Sequence, residues 1–372
     1  MRGTMKSKIY RLGELFCGPG GIGRGAMESE VTHDSTVYKI EHAWANDNNS
    51  DSCETYRENF FKHDRIRVRH EDVRSLDFGD LKKRYGKIQA LTFGFPCNDF
   101  SLVGEQKGLS GKYGPLYIYG VKAIEAFEPD WFIAENVGGL RSANEGKALK
   151  QIMAALKSVK PGYTITAHYY KFEKYGVPQT RHRFILVGIK SKLRKTFLVP
   201  APLPDKPKSA RQAIEVPPIP KNAKDQVLTR QSAKVIARLK LIEPGQNVWN
   251  AKLPEHLKLK VKGAKLSQIY RRLDPEKPAY TITGSGGGGT HVYHWDEPRA
   301  LTNRERARLQ TFPDNHVFVG SKESVRRQIG MAVPPTGVKI IMTAILKTMA
   351  GVEYPNIPAS CDSHAFLASR RA

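Results

Sequence analysis

Acidic residues are scarce in this chain. Against 60 Lys plus Arg stand only 36 Asp plus Glu in 372 residues, a formal charge of +24. That shortage argues against a polycationic partner and favours a polyanionic one, because each phosphate neutralised releases counterions. A solvated basic surface is the plainer alternative, and a pI near 9.8 makes nucleic acid the stronger reading. Cysteine is also rare. Cys17, Cys53, Cys97 and Cys361 include no Cys-x-x-Cys pair and no zinc spacing. No metal is expected, and the four read as free thiols of a reducing cytoplasm. Long apolar runs are missing too: none approaches the ~18 residues of a membrane span. Residues 1–8 are polar and basic and lack the apolar centre of a signal peptide. The 40% hydrophobic share suffices for a real core, and the length for one large domain plus a smaller one.

Apolar runs and turn residues alternate over the first half. Ile9 to Phe16, His42 to Ala45, Val68 to Val73, Ile88 to Phe95 and Trp131 to Ala134 read as strands. Cys53 to Phe61, Tyr117 to Phe127 and Ala148 to Val159 read as helices, with further strands at Tyr163 to Tyr170 and Arg183 to Ile189. Such alternation predicts an α/β fold with a doubly wound, mostly parallel sheet, in which ligands bind beyond the carboxyl ends of the strands. The composition then shifts. Residues 191–280 hold 20 Lys plus Arg against 7 Asp plus Glu and 11 of the 23 prolines, with poor alternation. They read as a separate, irregular, basic module, since a long proline-rich loop inside one compact domain would be unusual. Farther on, Leu301 to Gln310 is a predicted helix opened by a capping box, Thr302 with Glu305. Gly337 to Met349 is a predicted amphipathic helix.

Several segments carry chemistry. Phe16-Cys17-Gly18-Pro19-Gly20-Gly21 follows a strand and opens a helix, and its glycines would let backbone approach a ligand closely. A dinucleotide loop, a methyl-donor loop and a tight packing turn all fit that motif alone. Asp47, with Asn48 behind it, ends the second strand, where an acid can accept hydrogen bonds from ribose hydroxyls. Asp72 ends the third, placed to reach an adenine amino group. Gly94-Phe95-Pro96-Cys97 ends the fourth, and a cysteine held at a strand end is placed to act as a nucleophile. Glu135-Asn136-Val137 ends the fifth. Gln179-Thr180-Arg181-His182-Arg183 sets two arginines at alternate positions, so an extended segment would aim both side chains one way. Gly330-Met331-Ala332-Val333-Pro334-Pro335 comes last.

In that order, from Leu12 to about Leu346, these segments resemble the DNA (cytosine-5) methyltransferases. The resemblance implies a Rossmann-like methyltransferase fold with a smaller, irregular DNA-recognition domain. It assigns residues 1–190 and 295–372 to catalysis and 191–294 to target recognition. It implies S-adenosylmethionine as cofactor, held by Phe16, Gly18, Gly20, Gly21, Asp47, Asn48, Asp72, Pro96, Leu116 and Val333. Met331 departs from the family, which usually has Asn there. Cys97 would add to carbon-6 of a cytosine flipped out of duplex DNA, Glu135 would meet ring N3, and Arg181 would hold the base O2 while Arg183 is structural. The implied partner is double-stranded DNA, with a cognate restriction endonuclease indirectly and no membrane. A bacterial or phage modification enzyme of this kind would be a cytoplasmic, nucleoid-associated monomer. An RNA cytosine-5 methyltransferase of the same fold, a DNA-binding protein with a decayed site and an NAD enzyme are the rivals. The basic insert argues against the first and the intact Cys97, Glu135 and Arg181 against the second, while nothing suits hydride transfer.

Overall fold

The computed structural model describes residues 5–95, 116–141, 146–260, 266–287 and 289–361. It divides into two units: residues 1–171, 182–202 and 335–372 form the first, and residues 172–181 and 203–334 the second.

The first unit is built on one sheet. Its centre is parallel, in the order β4 (Val68–His70), β3 (Thr36–Asp47), β1 (Lys6–Leu15), β5 (Ala90–Gly94) and β6 (Trp131–Val137). Every residue of Ala90–Phe93 is buried, the continuous apolar run of a strand covered on both faces. The helices α1 (Gly21–Met27), α2 (Ser50–Phe60), α3 (Phe78–Tyr85), α4 (Tyr117–Phe127) and α5 (Lys147–Ser158) make the crossovers that parallel strands need. The Asn49 side chain starts α2 by accepting the Ser52 N–H. The sheet edges depart from the parallel pattern. On one, β2 (Glu30–His33) pairs antiparallel with the first half of β3. On the other, β9 (His182–Lys190) runs antiparallel to β6, and β7 (Tyr163–Lys171) pairs antiparallel with β9 at the outer edge. Trp44, Phe93, Phe132, Ile152 and Leu156 lie in the core between sheet and helices.

The chain returns to this unit for α10 (Pro335–Ala350), which packs on α1. Gly25 makes the approach possible: a Cβ there would lie 2.6 Å from the Pro335 carbonyl oxygen and 2.7 Å from the Val338 side chain. β10 (Val199–Pro200) and β12 (Asn356–Ile357) form a short antiparallel pair nearby in the same unit. By length and composition the stretch Lys322–Ala350 could cross a membrane, which the sequence reading did not anticipate. Most of it is buried inside the protein, as core helices are.

The second unit has little regular structure. It holds β8 (Gln179–Thr180) paired parallel with β11 (Ala279–Tyr280), and the helices α6 (Ala210–Glu215), α7 (Ala233–Lys240), α8 (Asn303–Leu309) and α9 (Lys322–Met331). The capping box expected at Thr302 and Glu305 opens α8. Loops supply the rest, and buried arginines hold them. Arg272 donates to the carbonyls of Leu239, Ile242, His294 and Trp295, and Arg304 to those of Lys224, Pro313 and His316. A guanidinium offers five donors in a rigid fork, which suits tying several unpaired loop carbonyls together. Part of the positive charge that suggested DNA is therefore spent inside the fold. The unit also extends beyond residues 191–280, the span set apart by composition, because α8 and α9 share a core with α6 through Ile214, Leu309, Phe312 and Ile329.

Gly330, near the end of α9, has no room for a side chain. A Cβ would sit 2.0 Å from the Gly284 nitrogen and 2.2 Å from the Thr283 carbonyl carbon, both backbone. Gly330→Ala should therefore lower stability by roughly 1–3 kcal/mol or more. The urea midpoint measures this; an unchanged midpoint would mean that the two segments separate freely.

Candidate active site

The glycine loop leaves β1 in a backbone that few residues adopt. Phe16 has φ 54°, Gly18 52° and Gly20 86°. Positive φ at a bulky residue such as Phe16 is rare and clusters at functional sites. The Gly18 and Gly20 angles are cheap only for glycine. A Cβ on Gly20 would strike the Phe60 ring at 2.3 Å, whereas a Cβ on Gly18 would meet nothing within 4 Å. Gly18 thus turns its bare side to open space, as a loop that cradles a ligand must. Gly21 is the first residue of α1.

Asp47 closes the loop from the end of β3. Its Oδ2 accepts the Gly18 N–H at 2.9 Å and its Oδ1 the Asn49 N–H at 2.9 Å. Burial raises this carboxyl above its ordinary range, against the pull of those N–H groups. Asn48 beside it is exposed. Asp72 lies two residues past β4 and caps the turn Val73–Ser75. Its carboxylate takes a two-pronged ion pair from Arg74, at 2.9 and 2.6 Å, which holds it below its usual range. Leu116 is half-buried where α4 begins. These residues all belong to the first unit. Val333 belongs to the second, buried just after α9, and Met331 at the end of that helix is 76% exposed.

Cys97 and Pro96 lie outside the described residues. The strand that leads to them ends at Gly94, in register with Glu135 on β6. A Cβ on Gly94 would come 3.1 Å from Glu135 Oε2, so the carboxyl stands directly over the strand end. The Asn136 amide donates to the Phe95 carbonyl at 3.2 Å and braces the residue before Pro96. Burial pushes the thiols of Cys17 and Cys53 upward, so neither offers a thiolate near neutral pH.

The two arginines are placed opposite to expectation. Arg183, opposite Val137 on the neighbouring strand, brings its Nε to 2.7 Å from Glu135 Oε1, each side chain 11% exposed. Arg181 is 1% exposed and donates to the carbonyls of Ile282 and Gly330, both at 2.9 Å, within the second unit. The reason is local. The Arg181 N–H bonds back to the Gln179 carbonyl at 2.8 Å, so the chain turns between β8 and β9 and the assumed alternation fails. Gln179 is likewise internal, bonded to Leu309, Gln310 and Ile282. The sequence reading also passed over a buried group beneath the loop, Glu14, Tyr56 and His42. An acid on β1 with a tyrosine and histidine at no recognisable spacing leaves no motif to find.

The chain matches the C-5 cytosine-specific DNA methylase family over residues 10–347. It belongs to that family. This methyltransferase is 54% identical to the type II methyltransferase M.BbvI of Brevibacillus brevis over 365 residues, 97% of each chain. It is 39% identical to M.NgoFVII of Neisseria gonorrhoeae over 340 residues, 89% of this chain and 85% of the relative. Among solved structures, a prophage-encoded Escherichia coli protein superposes with a TM-score of 0.70 at 22% identity, covering 91% of this chain and 99% of the other. The Entamoeba histolytica methyltransferase EhMeth gives 0.63 at 13% identity, covering 92% and 99%. The enzyme is a DNA (cytosine-5) methyltransferase of Rossmann-like fold and uses a methyl donor.

Proposed function

We propose that the methyl donor is S-adenosylmethionine and that Cys97, Glu135 and Arg183 act on a cytosine flipped out of duplex DNA. The observation that carries this reading is the buried Glu135–Arg183 pair at the end of the strand leading to Pro96-Cys97. Carbon-5 of cytosine is a poor nucleophile. Addition of the Cys97 thiolate to carbon-6 would make it enamine-like, with the Glu135 carboxyl, fixed by Arg183, giving a proton to ring N3 as negative charge develops there and taking it back when the ring is restored. The donor supplies an electrophilic methyl group. Once carbon-5 has taken the methyl, loss of its proton and departure of the thiolate from carbon-6 restore the aromatic ring. Phe16, Gly18, Gly20, Gly21, Asp47, Asn48, Asp72 and Leu116 would hold the donor, together with Pro96. Flipping costs roughly a few kcal/mol, and base reading falls to the irregular second unit.

The relatives named as type II methyltransferases support a restriction-modification role, with a cognate endonuclease acting on the same site and no stable complex between them. We read the enzyme as a monomer of the bacterial cytoplasm. Bisulfite sequencing of DNA from expressing cells identifies the target. DNA carrying 5-fluorocytosine at that target should then yield an adduct that survives a denaturing gel, because fluorine cannot leave carbon-5 as a proton does. No adduct on a site shown to be methylated would overturn covalent catalysis.

Asp47→Ala should weaken donor binding by roughly 1.5–3 kcal/mol, the worth of hydrogen bonds to a charged group. Gly18 would also lose the acceptor that fixes its N–H. Calorimetry should show this loss with DNA affinity unchanged; equal donor affinity would remove Asp47 from the pocket.

A further inference from the structure

Beneath the glycine loop three polar side chains form one connected line in the first unit. Glu14 on β1 is 1% exposed, and its Oε2 lies 2.8 Å from the Tyr56 hydroxyl on α2. That hydroxyl lies 2.9 Å from Nδ1 of His42 on β3, and His42 Nε2 lies 3.1 Å from the Gly23 carbonyl on α1. The Gly23 N–H in turn bonds to Glu14. One residue of α1, Gly23, is thereby held on both sides, through its N–H and its carbonyl. There is no space for more: a Cβ on Gly23 would lie 2.8 Å from the Tyr56 oxygen, 2.9 Å from the His42 ring and 3.1 Å from Glu14 Oε2.

The direction of the hydrogen bonds can be read from their end. A carbonyl only accepts, so His42 Nε2 carries a hydrogen. In a neutral imidazole Nδ1 then accepts, so Tyr56 donates to it. The Tyr56 oxygen must accept from Glu14, which must be the protonated acid. A charge-separated arrangement, carboxylate at one end and imidazolium at the other, holds the same number of protons. It is disfavoured here because Glu14 is buried and His42 half-buried among aromatic rings. Glu14 Oε1 has no hydrogen-bond partner among the described residues, and as half of a carboxylate it would be a buried anionic oxygen with nothing to satisfy it. The surroundings agree. Asp47 on β3 faces Glu14 with like charge, Arg24 on α1 faces His42 with like charge, and Phe60 and Phe61 pack against the imidazole. Burial, the leading cause in both cases, raises Glu14 to about 8 and lowers His42 to about 4.

We propose that Glu14, Tyr56 and His42 form a neutral, one-directional hydrogen-bond chain that positions the glycine loop for the methyl donor, with Glu14 as its protonated end. They are positioning residues and touch neither donor nor base. The proposal rests on reading the Gly18–Asp47 pocket as the donor site. Through Gly23 the chain fixes the first turn of α1, and with it the loop whose Gly18 N–H meets Asp47.

Infrared difference spectroscopy between wild type and Glu14→Gln should show a protonated carboxyl at neutral pH in the wild type, titrating near pH 8. An ionised Glu14 at neutral pH would overturn the proposal, and this arm needs no donor. In steady-state kinetics Tyr56→Phe should raise KM for S-adenosylmethionine about tenfold, with kcat at saturating donor within about twofold. An unchanged KM would overturn it. Glu14→Gln, neutral and able to donate, should rescue the donor KM that Glu14→Leu loses. It should also abolish the rise in KM that wild type shows above pH 8, where Glu14 gives up its proton. Equal losses in Gln and Leu variants would make Glu14 an anion that the donor needs, and the neutral chain would be wrong. Should Tyr56→Phe fail to fold, the wild-type spectrum and the Gln pH profile still decide. Absence of S-adenosylmethionine binding by wild type, with the carboxyl signal present, would sink the donor assignment and leave the proton ordering standing.

Discussion

Cys97→Ala should transfer no methyl group above background while still binding the donor and DNA. Loss of a nucleophile of this kind costs on the order of 10³-fold or more, because without addition at carbon-6 the ring carbon has too little nucleophilicity to take the methyl. No other described cysteine can step in. Cys17 and Cys53 are buried with thiols pushed upward, and Cys361 lies beside Ala167 on the outer strand β7, with β9 between it and β6. Tritium transfer from labelled donor to target DNA measures the loss, and calorimetry with the donor shows that the pocket survives. Comparable transfer by the alanine protein would rule out the covalent route.

Glu135→Gln is the second large effect. The change keeps shape and one acceptor but removes the charge that Arg183 holds at 2.7 Å in a site where both side chains are almost closed off from water. Methyl transfer should fall by about 10²–10⁴, the usual worth of a general acid or base, with donor affinity little changed. Stability should drop as well, since Arg183 would keep its charge without a counter-ion. Single-turnover rates at saturating donor separate the chemical effect from the thermal one. A rate within a fewfold of wild type would leave Glu135 only its part in holding Arg183.

The parallel half of the fold was legible because burial on two faces writes itself as continuous apolar runs. Ala90–Phe93 and Trp131–Ala134 are examples, and Tyr117–Phe127 was bounded as the structure has it. The first half of β3 was missed because Thr36 and Lys39 pair with the edge strand β2, where polar residues are tolerated and mimic a loop. α6 and α7 were missed for a different reason. They are short and sit among prolines, and their loops are held by Arg272 and Arg304, whose charge reads in sequence as surface rather than interior. At the site, Asp47 and Glu135 were found at strand ends as the doubly wound pattern requires. Arg181 and Arg183 do not point the same way as the sequence reading expected, because one turn-closing hydrogen bond breaks a register that the sequence leaves intact.

The packing of α10 on α1 sets an order of events during synthesis. The Ser29 hydroxyl behind α1 bonds the Lys339 carbonyl across 310 residues of chain. At ribosomal speed that separation is on the order of 15–60 s. Throughout that interval the nascent chain already carries the glycine loop, and from Glu135 onward Cys97 and Glu135 as well, but the helix that packs on α1 does not yet exist. The α1 face that α10 covers therefore stays open until synthesis has passed Ala350.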